Sequence, residues 1–135
     1  MAEIILKDIY KNIKNIVVVG ISPKEDRPSF KVSTELKKRG YRIIPVNPNY
    51  EEIIGEKTYK DINDIDEKID IVVFFVNSNR VLEEIKKAIN KKVDYLWLQE
   101  GVVSEEGKEL AESAGISFMM DRCIYKELKK IEKEN

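Results

Sequence analysis

The sequence contains no histidine and a single cysteine, Cys123, among its 135 residues. Imidazole is the commonest general base and the commonest transition-metal ligand in proteins. Its absence excludes serine–histidine and cysteine–histidine catalysis, a phosphohistidine intermediate on this chain and ordinary zinc sites. One cysteine also excludes an intrachain disulfide, which is consistent with a reducing compartment. Any catalysis would therefore depend on Asp, Glu, Lys, Tyr or a bound cofactor.

The chain also lacks an excess of positive charge and a long apolar run. Its 24 Lys and Arg residues nearly balance 25 Asp and Glu residues, whereas nucleic-acid-binding domains usually carry a basic face. The apolar runs are strand-length, far below the roughly 18 residues of a membrane span, and the N-terminus has no secretory pattern. We therefore expect one cytoplasmic domain over residues 1–135, without nucleic-acid or membrane partners; a homo-oligomer or a protein partner stays open.

Short β-branched runs alternate with segments of helical periodicity along the chain. The runs at 15–20, 41–46, 70–76, 95–99 and 117–120 predict strands. Most of them are almost continuously apolar, which is typical of parallel strands covered on both faces. We therefore predict an α/β protein with a single Rossmann-like, doubly wound, mainly parallel sheet and helices on both faces.

Helix-capping residues and periodic apolar positions mark the predicted helices. These cover 3–13, 28–39 ending at Gly40, a segment capped by Ser78, a segment between Ser104 and Gly115, and a closing segment from Ile124. The stretch 49–68 is predicted to be irregular, with a short strand near 57–59.

Ligands of doubly wound sheets bind beyond the carboxyl ends of the strands, near the point where the strand order reverses. Four predicted loops lie there, and they contain the candidate binding residues. These are Gly20, Ile21, Ser22, Lys24, Arg27, Pro28 and Ser29 in the first loop, Asn47 and Pro48 in the second, Phe75, Val76, Asn77 and Arg80 in the third, and Gln99, Glu100 and Gly101 in the fourth.

The first loop joins a strand to a helix start, where free backbone N–H groups and the helix dipole favour anions. Lys24 and Arg27 add positive charge, so the loop suits a phosphate or pyrophosphate. The alternative is a solvated loop whose serine caps the helix. In the third loop, Phe75 and Val76 suit an adenine or an acyl-type arm and Arg80 suits a phosphate; the alternative is that the apolar pair belongs to the core.

Two features disfavour a dinucleotide. The G-x-G-x-x-G fingerprint needs three glycines, and only Gly20 is present in the first loop. NAD-binding domains usually end the second strand with a carboxylate that binds the ribose, and Asn47 stands there instead. Asn47 would also tolerate a phosphate group nearby, which a carboxylate would repel. An NAD(P)-binding Rossmann enzyme or a redox-sensing protein remains the alternative function.

Six short stretches, in order along the chain, carry a resemblance to a known family. They are Val-Val-Val-Gly-Ile-Ser-Pro-Lys at 17–24, Asp-Arg-Pro-Ser at 26–29, Gly-Tyr-Arg-Ile-Ile-Pro-Val-Asn-Pro at 40–48, Ile-Gly-Glu-Lys at 54–57, Leu-Trp-Leu-Gln-Glu-Gly-Val-Val at 96–103 and Met-Asp-Arg-Cys at 120–123. The chain resembles the YccU-like stand-alone coenzyme A-binding proteins, which are similar to the CoA-binding domain of the succinyl-CoA synthetase α subunit.

The resemblance implies that coenzyme A or an acyl-CoA is the ligand. By position, the resemblance also implies that the following residues contact the ligand: Gly20, Ile21, Ser22, Asn47, Pro48, Gln99, Glu100 and Gly101. It does not imply ligase chemistry, because the synthetase uses a phosphohistidine and a second domain, and this chain has no histidine. We therefore expect a binding protein that is not catalytic on its own. Cys123 is interpreted as a small buried residue, the alternative being a thiol that meets the thiol of CoA.

Overall fold

The computed structural model describes residues 2–134, and a five-stranded parallel sheet forms their centre. The strands of the chain are β1 (Asn15–Val19), β2 (Arg42–Val46), β3 (Glu52–Ile53), β4 (Glu56–Lys57), β5 (Ile71–Phe74), β6 (Tyr95–Leu98) and β7 (Ser117–Met119). The main sheet has the order β2-β1-β5-β6-β7, and β3 pairs with β4 in a separate antiparallel hairpin. The predicted α/β class with a mainly parallel sheet is confirmed.

Five α-helices connect and flank these strands. They are α1 (Ala2–Asn12), α2 (Pro28–Lys38), α3 (Ser78–Asn90), α4 (Glu105–Ser113) and α5 (Ile124–Glu134), and a short 3₁₀ helix covers Ile62–Asp64. The stretch predicted to be irregular therefore holds the hairpin and the 3₁₀ helix. The short strand expected there is found at β4, and Tyr59 forms only an isolated bridge with Val46. Among residues 2–134, none of the helices has the length and apolar character needed to cross a membrane.

Alternate residues of each strand enter two separate hydrophobic layers. In β1, Ile16 and Val18 pack in the layer that contains apolar residues of α1, α2 and α5. Val17 and Val19 pack in the layer that contains residues of α3, α4 and the 3₁₀ helix. Because both faces of the strand are buried, an almost continuous apolar run was the correct sign of a covered parallel strand.

The strands end at one level, which places their following loops side by side. Val19 is paired in register with Val46 of β2 and with Phe74 of β5, and Phe74 is paired with Leu98 of β6. The chain winds from β1 to β2 in one direction and from β5 to β7 in the other, so the strand order reverses between β1 and β5. The loops at this edge therefore surround the position where such sheets bind ligands.

Two serines predicted as helix caps have different roles. Ser104 caps α4 as expected, since its Oγ accepts a hydrogen bond from Gly107 N at 3.0 Å. The predicted cap at Ser78 is wrong, because Asn77 occupies the N-cap position and Ser78 is the first residue of α3. The Ser78 Oγ instead accepts a hydrogen bond from Val103 N at 2.9 Å and donates one to Gly101 O at 3.3 Å. It therefore ties α3 to the loop after β6.

Candidate functional site

The first loop begins at a glycine that the fold itself requires. Gly20 has a φ of +84°, and a Cβ placed there would lie 2.9 Å from Phe75 O and 2.9 Å from Val76 Cγ1. Phe75 N also donates to Val19 O at 2.9 Å, which brings the end of β5 against the end of β1. Gly20 is therefore required because the backbone after β1 lies close to the backbone after β5.

The rest of the first loop is shaped by its own serines. Ser29 is buried at the start of α2, and its Oγ accepts a hydrogen bond from Ser22 N at 2.9 Å. Ser22 Oγ accepts one from Lys24 N at 3.1 Å. Ile21 is fully buried in the layer beneath α1 and α2. These contacts hold the loop in one shape and leave the side chain of Lys24 exposed.

Arg27 stands at the entrance to α2. It is the N-cap residue, with extended backbone, and within the described chain its side chain makes no capping hydrogen bond. Its side chain is exposed, and Pro28 occupies the first helical turn. The arrangement leaves a guanidinium group beside the positive end of the α2 dipole, which is a chemically suitable place for a phosphate.

Asn47, at the end of β2, connects two of the loops. Its Nδ2 donates a hydrogen bond to Ile21 O at 2.8 Å, and its Oδ1 accepts one from Asn49 N at 2.9 Å. An aspartate at this position would lose the donor and bring a carboxylate oxygen towards the Ile21 carbonyl oxygen. Asn47 is therefore important for loop geometry as well as for the absence of a negative charge.

A first cleft of about 740 Å³ lies on the β6 side of Val76. Its lining residues come from the start of α2, the loops after β5 and β6, and the start of α5. They are Asp26, Pro28, Lys31, Val32, Phe75, Val76, Asn77, Gln99, Glu100, Gly101, Val102, Cys123, Tyr125, Lys126 and Lys129. Apolar walls with a few polar groups are typical of sites that bind small organic ligands.

The charged groups of the first cleft lie at its exposed part. Lys126 Nζ contacts both carboxylate oxygens of Glu100, at 3.0 and 3.2 Å, and this contact raises the pKa of Lys126. Lys31 and Lys129 are also exposed and add positive charge, against Asp26. The lining thus combines three lysines with two carboxylates, one of which is already paired.

The turn at Gly101 is held by both neighbouring loops. Gly101 N donates to Asp121 Oδ1 at 2.8 Å, and Gly101 O accepts the hydrogen bond from Ser78. Asp121 itself has a φ of +58° and follows β7. Trp97 Nε1 donates to Arg122 O at 2.8 Å, which anchors the same segment from within the sheet. The loops after β5, β6 and β7 are therefore hydrogen-bonded into one wall of the first cleft.

A second cleft of about 650 Å³ lies on the β2 side of Val76. Its lining residues come from the ends of β1 and β2 and the loops that follow them, the segment before the 3₁₀ helix, the loop after β5, and α3. They are Val19, Gly20, Val46, Asn47, Pro48, Asn49, Lys60, Asp61, Val76, Asn79, Arg80, Glu83, Glu84 and Lys87. Val76 lines both clefts, so one side chain separates two cavities at the edge where the strand order reverses.

The floor of the second cleft contains a charged network. Lys87 Nζ lies 2.7 Å from Asp61 Oδ2 and 3.1 Å from Glu84 Oε2. The bond from Lys87 lowers the pKa of Asp61 and raises that of Lys87. Asp61 Oδ1 also accepts from Asn63 N at 2.9 Å and so caps the 3₁₀ helix. Arg80 and Lys60 are exposed cations on the same cleft.

The structure divides the sequence-predicted residues into three groups. The first cleft is lined by Pro28, Phe75, Val76, Asn77, Gln99, Glu100 and Gly101, and the second by Gly20, Asn47, Pro48, Val76 and Arg80. In the described structure, Ile21, Ser22, Lys24, Arg27 and Ser29 line neither cleft. Phe75 and Val76 are half-buried and lie beyond the end of β5, so the predicted strand 70–76 is too long and these two residues belong to the loop after it.

Sequence reasoning missed the residues that α5 contributes. Tyr125, Lys126 and Lys129 line the first cleft, but on an amphipathic helix their spacing looks like an ordinary solvated face. The stretch 120–123 was the available signal, because it places the start of α5 next to the sheet edge. Among residues 2–134, no group of three or more Asp, Glu or Cys side chains has the arrangement of a metal site.

Comparison with known proteins confirms the resemblance seen in the sequence. Residues 14–129 match the model of a family described as a CoA binding domain. The chain is similar to the uncharacterized protein YneT of Bacillus subtilis, with 36% identity over 119 residues and coverage of 88% of each chain. It is also similar to an ADP-forming acetate–CoA ligase of Methanocaldococcus jannaschii, with 28% identity, but it spans only 17% of that ligase.

Solved structures give the same result for the fold. A hypothetical protein from Pyrococcus horikoshii OT3 superposes with a TM-score of 0.93 and 33% identity, over 96% of this chain and 92% of that one. An acetyl-coenzyme A synthetase from Ca. Korarchaeum cryptofilum, described in complex with phosphate and ADP, superposes with a TM-score of 0.66 and 26% identity, over 78% of this chain and 25% of that one. The Rossmann-like architecture is therefore shared with both small proteins and parts of larger ones.

Proposed function

Since the chain belongs to the CoA-binding domain family, we propose that it binds coenzyme A or an acyl-CoA across the two clefts that meet at Val76. The family membership supports CoA as the ligand. The observation that carries the assignment to this place is the pair of clefts on either side of one side chain, at the sheet edge where the strand order reverses.

The two clefts suit the two different ends of CoA. The second cleft carries the exposed cations Arg80 and Lys60 and is proposed to take the adenosine end with its 3′-phosphate. The start of α2 with Arg27 is proposed to face the pyrophosphate. The first cleft, with the apolar side chains of Phe75 and Val102, is proposed to take the pantetheine arm. Val76 would then lie beside the ligand where it passes from one cleft to the other.

We further propose that the chain binds CoA without performing ligase chemistry by itself. It has no histidine to carry a phosphoryl group. The acetate–CoA ligase to which it is similar is much longer, and this chain corresponds to 17% of it. The chain therefore matches only a small part of the length of that ligase.

Calorimetry of the unmodified protein with CoA, 3′-dephospho-CoA and NAD tests the proposal. We expect CoA to bind at least tenfold more tightly than NAD, which corresponds to ~1.4 kcal/mol. The expected reasons are Asn47 in place of a ribose-binding carboxylate and the single Gly20 of the first loop. Equal affinity for NAD and CoA would overturn the proposal and support an NAD(P)-binding protein.

An added charge tests where the 3′-phosphate lies. Asn49→Asp is better suited than Asn47→Asp, since Asn49 is exposed on the second cleft and only its backbone N–H is bonded to Asn47. The new carboxylate is expected to lower the affinity for CoA several-fold and to leave the affinity for 3′-dephospho-CoA within twofold of that of the unmodified protein. Asn63→Asp, exposed outside this cleft, is the matched control and should change neither affinity. Equal weakening of both ligands by Asn49→Asp would contradict the placement.

A further inference from the structure

The first cleft extends between α2 and α5. Each helix contributes lining residues from its first two turns: Pro28, Lys31 and Val32 from α2, and Tyr125, Lys126 and Lys129 from α5. Because residues three or four positions apart share one face of a helix, the next positions on these faces are Glu35, Arg39 and Glu132. In the described structure, none of these three lines the cleft. The cleft therefore ends where this next layer of side chains begins.

A network of charged side chains forms that next layer. Arg39 contacts both carboxylate oxygens of Glu132, since its Nε lies 3.0 Å from Oε2 and its Nη2 lies 3.3 Å from Oε1. Arg39 Nη1 also donates a hydrogen bond to Glu35 Oε2 at 3.2 Å. The side chain of Arg39 is 27% exposed, so most of it lies against other side chains. The network therefore joins the C-terminal end of α2 to the later turns of α5.

Tyr125 lies between the cleft and the network. It lines the cleft, and its hydroxyl donates a hydrogen bond to Glu35 Oε2 at 3.5 Å. The guanidinium carbon of Arg39 lies 4.9 Å from the centroid of the Tyr125 ring, and Lys129 Nζ lies 5.5 Å from the same centroid. Cation–π contacts of this kind hold an aromatic ring in position. The ring of Tyr125 therefore forms the end wall of the cleft between the two helices.

We infer that Tyr125, positioned by Arg39, limits the length of the acyl group that the first cleft accepts. This inference rests on the proposed function, in which the pantetheine arm of CoA lies in this cleft, and it defines the ligand class as CoA thioesters of short acyl groups. The acyl group is attached to the sulfur at the end of that arm, so it reaches further into the cleft than any other part of the ligand. Arg39 acts through Tyr125 and is a positioning residue.

The space beyond Tyr125 is bordered by apolar side chains. Leu36 of α2 is 1% exposed and Leu128 of α5 is 5% exposed, and both belong to the hydrophobic layer against which Tyr125 packs. Removing the Arg39 side chain or the Tyr125 ring would therefore extend the cleft along apolar walls. A longer acyl chain would be buried there, and about two further buried methylene groups are enough for a tenfold gain in affinity.

Calorimetry with acetyl-CoA and octanoyl-CoA tests the inference. We expect the unmodified protein to bind octanoyl-CoA no more tightly than acetyl-CoA, and this measurement does not depend on a variant folding. In Arg39→Ala and in Tyr125→Ala, the affinity for octanoyl-CoA relative to acetyl-CoA is expected to rise at least tenfold. A purely structural contribution of Arg39 would lower both affinities together, because lost packing alone gives the longer chain no advantage.

Arg42→Ala is the matched control. Arg42 also pairs with two carboxylates, those of Glu56 and Glu67, but in the described structure it does not line the first cleft. Its ratio of the two affinities should stay within twofold of that of the unmodified protein. Tighter binding of octanoyl-CoA than of acetyl-CoA by the unmodified protein, or an unchanged ratio in either cleft variant, would overturn the inference. Absence of CoA binding by the unmodified protein would overturn the proposed function instead, so the two failures are distinguishable.

Discussion

Replacing Gly20 by alanine tests whether the contact between the ends of β1 and β5 organises the site. The residue has a φ of +84°, in the left-handed region that disfavours a Cβ. The new Cβ would lie 2.9 Å from both Phe75 O and Val76 Cγ1, closer than a Cβ normally approaches another atom. One of these atoms is backbone and cannot rotate away. The end of β5 must therefore move, and with it the side chain that separates the two clefts.

Two terms set the expected loss of stability. The left-handed conformation costs a residue with a Cβ about 1–2 kcal/mol. Forcing a methyl group into an already packed place typically costs a further ~1–3 kcal/mol. We therefore expect Gly20→Ala to lower the free energy of unfolding by about 2–5 kcal/mol, which is a large part of the ~5–15 kcal/mol that holds a typical domain folded.

Gly115→Ala is the matched control for this measurement. Gly115 has a similar φ of +77° after α4, but among the described residues a Cβ there would meet nothing within 4 Å. Both variants share the strain of the left-handed conformation and the smaller entropy of the unfolded chain, so their difference isolates the contact. Urea-induced unfolding, followed by circular dichroism, gives both free energies. An equal loss in the two variants would refute the steric argument, and unchanged CoA binding by folded Gly20→Ala would refute the role of Val76.

Further predictions concern a cation, a thiol and an ion pair. Arg27→Ala should weaken CoA binding by about 1.5–3 kcal/mol in calorimetry, because a hydrogen bond to a charged group is lost. Lys38→Ala, at the other end of α2, should leave CoA binding unchanged. Unchanged affinity of Arg27→Ala for CoA at low salt would contradict the phosphate role. Cys123, 7% exposed, should form no adduct with CoA disulfide in the native protein and a full adduct after unfolding, by mass spectrometry; a native adduct would show that the ligand thiol reaches it. Asp61→Asn should cost about 1 kcal/mol at neutral pH, since both the bond to Lys87 and part of the 3₁₀ cap are weakened. Because the folded pKa of Asp61 is lowered from 3.8, its contribution is present above that pH and is lost as the pH falls through the lower folded value, so the two proteins should converge in stability in acid.

The fold class could be predicted because the signal is local. A strand such as β5, in which Ile71 to Phe74 are all buried, is visible in the sequence as a continuous apolar run. Ser104 likewise lies directly before α4 in the sequence, and Gly115 lies just after its end. The division of the edge into two clefts was not visible in this way. It depends on Phe75 and Val76 leaving the strand, which is decided by where pairing with β1 and β6 ends and not by the residue types.

Individual side-chain roles were also set by distant partners. Ser78 looked like a cap because it precedes a periodic segment, but its hydroxyl bonds to Gly101 and Val103, more than twenty positions away. The sequence shows that Asn47 stands where a carboxylate would disfavour a nearby phosphate, but it gives no sign of the hydrogen bond from Asn47 to Ile21 O. Such contacts require the register of the whole sheet, which no single segment of the sequence contains.

The first cleft is closed by α5, and this has a consequence for synthesis of the protein on the ribosome. Its walls join residues near Pro28 to residues as late as Lys129, about one hundred positions further along the chain. Synthesis proceeds from the N-terminus, so α5 leaves the ribosome after all the strands of the main sheet. The strands of the sheet are therefore synthesised before the proposed ligand cleft has all its walls, and CoA cannot yet assist folding through that cleft. On the proposed function, the stabilisation that CoA provides through the first cleft begins only when α5 has left the exit tunnel and packed against α1 and α2.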